Sequence, residues 1–154
     1  MNPRKTARIV GVLFIIGTVA GILSFVGMGP QGTPDYLVNV SENSNQVVTG
    51  ALLVLVMGVA LAPVPALLYP ILKKYNESLA LGYVIFRVLE VVTYFGVVLS
   101  WLLLVTLSRE YVQAGAPDAS YYQTLGTLIQ AVGEWFDPIL VMVFSISALI
   151  LNYD

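Results

Sequence analysis

Residues 79–107 read LALGYVIFRVLEVVTYFGVVLSWLLLVTL, an apolar run with two charges, Arg87 and Glu90. About 20 apolar residues suffice to cross a hydrocarbon core of about 30 Å. Inside lipid no water satisfies the backbone, so a single crossing segment of this kind is a helix. The same pattern recurs on both sides of it. Residues 47–72 carry no charge until Lys73, and Ile9 to Met28 carry none at all. A further apolar stretch fills 124–151. We therefore expect an all-α integral membrane bundle of four transmembrane helices, at about 7–27, 46–72, 79–107 and 124–151. They form a single membrane domain over residues 1–154.

Composition points the same way. Of the 154 residues 58% are hydrophobic and 10% charged, and the mean hydropathy is +0.85. A soluble domain carries about 25% charged residues, so a soluble globular fold, a disordered tail and a nucleic-acid binder are excluded. There is no cysteine and no histidine. That removes disulfides, thiolate metal sites, the commonest general base and the usual haem ligand. No cofactor or metal is expected. Nor is an enzyme expected: no nucleophile stands beside a base, and no H-E-x-x-H, D-x-D or P-loop signature occurs. Arg4, Lys5 and Arg8 before an apolar run imitate a signal peptide. The run is longer than a typical signal core, however, and no A-x-A site follows, so it reads as a retained helix.

The connections set the orientation. The first (29–46) has no Lys or Arg but holds Asp35 and Glu42. The second is short and basic at Lys73 and Lys74, and the third (108–123) sets Arg109 against Glu110 and Asp118. The positive-inside rule then puts both termini in the cytoplasm. The first connection reads as a turn around Pro30, Gly32 and Pro34, then a short interfacial helix or strand. In the third, Asp118 or Ser120 can cap the fourth helix. Asn39-Val40-Ser41 fits a glycosylation sequon, a triplet common by chance. Trp101, Tyr111, Tyr121 and Tyr122 at one boundary, and Tyr69 and Tyr75 at the other, read as aromatic belts.

Gly17 and Gly21, Gly58 and Ala62, and Gly96 and Ser100 repeat small-xxx-small, which lets helix backbones approach. Pro63, Pro65 and Pro70 each lack an N–H, so the second span should kink or break between Val59 and Pro70.

Four ionisable residues fall inside the spans: Arg87 and Glu90 on the third, Glu134 and Asp137 on the fourth. Insertion scales put Asp or Arg at about 2.5–3.5 kcal/mol each at a helix centre, so these groups should face one another, the bundle interior or water. Tyr83, Arg87, Glu90, Tyr94 and Trp101 share one face at helical spacing, as do Gln130, Glu134 and Asp137. The antiparallel pairing of the two spans predicts an Arg87 salt bridge to Glu134 or Asp137, with Glu90 as an intrahelical partner. One Arg against three carboxylates leaves −2 if all ionise, which a proton or a cation would relieve. Pro138 leaves the carbonyl of Glu134 without its helical donor, one more oxygen in the same place. The candidate binding residues are thus Arg87, Glu90, Glu134, Asp137, Gln130, Tyr83 and Tyr94.

Several stretches resemble a known family. They are Lys5 to Phe14, Leu68 to Lys74, Asn76 to Tyr83, Phe86 to Glu90, and Ala114 to Tyr121. Together they resemble the bacterial membrane family "domain of unknown function 4386" over nearly the whole chain. The Gly82-Tyr83-x-x-Phe86-Arg87-x-x-Glu90 stretch is the most specific part. The resemblance implies a bacterial inner-membrane protein and carries no activity or site. Members of that family usually continue through further helices. A short or truncated member would leave a face that a homo-oligomer or the missing helices cover.

Two functional readings follow. One is a transporter-like or binding protein for a proton, cation or small polar ligand at the charged cluster. The other is a non-catalytic accessory or sensor subunit whose charges only lock the helices.

Overall fold

The computed structural model describes residues 3–116 and 120–152. Among them every element is helical: α1 (Pro3–Ser24), a 3-10 segment (Phe25–Gly32), α2 (Tyr36–Glu42), α3 (Ser44–Leu61), α4 (Val64–Leu72), α5 (Glu77–Gln113) and α6 (Ser120–Leu151). They make four helical spans long and apolar enough to cross a membrane: 3–32, 44–72, 77–113 and 120–151.

Each span outruns its apolar stretch, because helices continue to their caps rather than to their last apolar residue. Asn76 is the cap that starts α5, its Oδ1 accepting from Leu79 N at 3.1 Å. At the other end Ser108–Gln113 stay helical, and Gly115 (φ 84) and Ala116 (φ 47) turn the chain out through left-handed backbone. Ser120 already lies inside α6 rather than capping it, and Asp118 lies outside the described residues. The first connection is helical: a 3-10 coil through the Gly- and Pro-rich stretch, then α2.

The break in the second span falls where proline dictates. Ala62 N still donates to Gly58 O at 2.9 Å, α3 ends, and α4 starts behind Pro63 with Leu67 N donating to Pro63 O at 3.1 Å. Pro70 and Pro138 are accommodated inside α4 and α6.

The helices pack in a row. α1 lies on α3, α3 on α5, and α5 on α6. The core sits in the middle of this row, around Val47, Ala51, Val54, Tyr94, Val98 and Leu104. Glycines permit the close approaches. A Cβ on Gly17 would meet Leu61 at 2.9 Å, and one on Gly21 would meet Met57 Sδ at 2.8 Å. Gly96 lies under the Phe136 ring. One close approach, between two backbones, is one the sequence did not flag. Gly27 and Gly50 meet backbone to backbone, and a Cβ on Gly50 would fall 2.7 Å from Gly27 Cα and 2.8 Å from the Trp101 ring. Trp101 is therefore not a belt residue: it is 8% exposed and fills the core above that crossing.

The outside is apolar. Ile15, Leu52, Leu99, Trp135, Val141 and Leu149 all point away from the bundle, Trp135 at 73% and Leu149 at 71% exposure. A soluble monomer rarely exposes an apolar patch beyond a few hundred Å². Side chains of this kind on all four spans suit a lipid surroundings.

Candidate functional site

α5 and α6 run antiparallel, and their contacts set a register. Gly133 faces Ser100, Phe136 faces Gly96, Phe144 faces Arg87 and Ile150 faces Gly82. In each pair the two residue numbers add up to about the same total. By that register Glu134 stands level with Val98 and Asp137 with Phe95. Arg87 is then about 16 Å along the axis from Glu134 and about 12 Å from Asp137.

The expected ion pair between α5 and α6 therefore does not form. Among the described residues Arg87 pairs with Glu90, Nη1 to Oε2, at 2.8 Å. The expected intrahelical partner is the real one. The expected pair rested on facing stripes alone; the register that separates the groups is the one the expected spans already carry, since residues 107 and 124, the ends that the third connection joins, add up to about the same total. The seven candidate residues separate into two groups.

The first group is buried. Tyr83 (0% exposed), Arg87 (5%), Glu90 (2%) and Tyr94 (7%) line the inner face of α5 at the expected spacing. Tyr94 Oη donates to Glu90 Oε1 at 2.7 Å, so each carboxylate oxygen of Glu90 has a donor. Three rings surround the guanidinium. Arg87 Cζ lies 5.7 Å from the centroid of Phe14 (α1), 5.5 Å from Tyr83 (α5) and 5.4 Å from Phe144 (α6). A cation within about 6 Å of an aromatic centroid is attracted to the ring face. Arg87 thus joins the two outermost helices of the row through its own side chain. Neither Phe14 nor Phe144 carried a sequence signal, since a Phe in an apolar span is unremarkable until its neighbour is known.

The second group faces a cleft of about 1100 Å³ between α1 and α6, with α3 and α5 as its floor. Glu134 and Asp137 are exposed on one wall. Neither has an ion-pair or hydrogen-bond partner among the described residues. Tyr94, Trp101 and Met57 are among the floor residues, and Thr18, Gly21 and Ser24 among those on the far wall. Gln130 lies at one end, its Nε2 donating to Gln31 O at 3.0 Å, and Tyr36 Oη donates to Gln123 O at 3.2 Å beyond it. These two bonds tie α6 to the first connection and bound the cleft at that end. Beyond its other end, and outside its lining, Phe14, Arg87 and Phe144 bring α1 and α6 together. Gln31 and Tyr36 were missed because nothing in a Gly- and Pro-rich connection announces that it folds back over a helix made much later.

The two groups touch at Tyr94. Its ring contributes to the cleft floor, and its hydroxyl holds Glu90. Glu90 does not converge with Glu134 and Asp137, and no three acidic groups among the described residues could hold a metal ion together.

A family model described as domain of unknown function (DUF4386) matches residues 9–153. This agrees with the resemblance carried by the stretch from Gly82 to Glu90. No curated protein matches the chain, and no solved structure does.

Proposed function

The chain belongs to the DUF4386 family, and we propose that it is a non-enzymatic, multi-pass membrane protein that binds a small ligand bearing positive charge in the cleft between α1 and α6. Glu134 and Asp137 are its counter-charges, and Gln130 is a polar contact at the cleft end. One observation carries this reading: two carboxylates near mid-span face a cleft, and no cation among the described residues reaches them. The seven basic residues are Arg4, Lys5, Arg8, Lys73, Lys74, Arg87 and Arg109. All but Arg87 sit at or near span ends, and Arg87 is committed to Glu90. A second copy of the chain would bring no cation to that depth either. A proton, a cation or a cationic small molecule is left. The cleft favours a compact ligand over a whole helix, because the first connection bounds one end and α1 and α6 come together beyond the other. Its mostly apolar lining favours one with an apolar body.

The positive-inside rule, applied to Lys73, Lys74 and the basic N-terminus, supports an orientation with both termini on the cytoplasmic side of a bacterial inner membrane. The alternative, a non-catalytic accessory or sensor subunit with purely structural charges, draws on the other group. Arg87, Glu90 and Tyr94 form a buried lock whose charges balance within the chain. We assign that role to them and keep the binding role for the cleft.

Trp101 and Trp135 are the two tryptophans. In a Trp135→Phe background Trp101 reports on the cleft alone. Titrating tetraphenylphosphonium into the reconstituted protein should change Trp101 emission saturably, and Glu134→Gln with Asp137→Asn should weaken this at least tenfold. Proton flux into liposomes, measured with the same variants, covers the case of a proton as ligand. Wild-type behaviour of both variants in both assays overturns the proposal.

A further inference from the structure

Among the described residues three buried side-chain polar atoms have no hydrogen-bond partner: Tyr83 Oη, Arg87 Nε and Ser108 Oγ. Two of the three belong to residues one turn apart and in contact, the Arg87 Cζ lying 5.5 Å from the Tyr83 ring centroid. Buried polar groups are almost always satisfied, and more strictly so in a hydrocarbon setting, where no bulk water reaches them. Two adjacent orphans in the best-paired part of the bundle therefore point to a guest that both can bond.

The chemistry of the guest follows from what is already paired. Glu90 takes the Nη1 corner of the guanidinium at 2.8 Å, which balances its charge. The Nε–H is left facing another direction and needs an acceptor. An anion there would leave a net negative charge among Phe14, Phe144 and the apolar face of α5, and desolvation opposes that. A neutral acceptor carries no such cost. The Tyr83 hydroxyl can donate to the same acceptor or accept from it. A water molecule meets both demands, and internal waters typically make 2–4 such bonds.

We propose that Arg87 Nε and Tyr83 Oη hold one internal water. It completes a polar thread on α5: Tyr94 donates to Glu90, Arg87 donates to Glu90, Arg87 donates to the water, and the water bonds Tyr83. The thread begins at the cleft floor and runs about 16 Å toward the basic end of α5. It is independent of what the cleft binds.

The test is water-edited solid-state NMR on arginine-15N-labelled protein in liposomes. The chain has four arginines. Single Lys replacements at the exposed Arg4, Arg8 and Arg109 assign three side-chain signals and identify the fourth as Arg87 without disturbing the site. The Arg87 Nε signal should gain polarisation from water at a rate within about twofold of the Arg109 signal. A rate as slow as that of lipid-facing backbone amides overturns the proposal. Exchange of chloride for gluconate should leave the Arg87 signal unmoved, and a shift would assign a halide and overturn the water. Tyr83→Phe should unfold at lower temperature than the wild type. An equal or higher transition would mean that the hydroxyl makes no bond, which also overturns it.

Discussion

Glu90 and Glu134 are the same side chain in two opposite situations. Glu90 is 2% exposed, with Arg87 on one oxygen and Tyr94 on the other. Removing its charge leaves a buried guanidinium without a counter-ion, which typically costs about 3–5 kcal/mol. Glu90→Gln should therefore lower the thermal transition in detergent by many degrees. Glu134→Gln and Asp137→Asn remove charges that pair with nothing among the described residues. Without ligand they should change stability by no more than about 0.5 kcal/mol, or raise it slightly. A thermal-shift series on the three variants checks the contrast, and equal losses in all three would contradict it. Half of this was legible in the amino-acid sequence. The i, i+3 spacing of Arg87 and Glu90 names their pair directly. What a shared helix face does not show is height along the axis: the separation of Glu134 and Asp137 from Arg87 follows from the antiparallel register, which the expected span ends imply but a comparison of faces overlooks.

At the scale of elements, the spans themselves follow from hydropathy and proline. The Gly27–Gly50 crossing does not, since Gly27 sits in a 3-10 coil and Gly50 in an α-helix, and no common spacing links them. Gly50→Ala puts a methyl against Gly27 and Trp101, and such overpacking typically costs about 1–3 kcal/mol. Gly11 is the control, because a Cβ there meets nothing within 4 Å. Gly11→Ala should be neutral or stabilising, by up to about 1 kcal/mol from helix propensity alone. Opposite signs for the two glycine substitutions in a denaturation series are the expected result. Both folding equally well would mean that the crossing is looser than its geometry.

For the whole molecule, the row α1–α3–α5–α6 leaves its two ends joined mainly by side chains: the caged Arg87 near the basic end, Gln130 and Tyr36 near the other. Orientation across the bilayer is testable because the chain has no cysteine of its own. Single cysteines at Ser41, Ser78 and Ser120 should divide under an impermeant reagent on intact cells. Positions 41 and 120 should label from outside, and 78 only after permeabilisation. External labelling of 78 would reverse the assignment. The bond from Tyr36 to Gln123 also has a bearing on synthesis, since its partners are 87 residues apart. At about 5–20 residues per second, Gln123 leaves the ribosome about 4–17 s after Tyr36. Through that interval the first connection can already pack on α3 and α5, but the wall that α6 supplies is absent and the cleft lies open along that side until the last helix arrives.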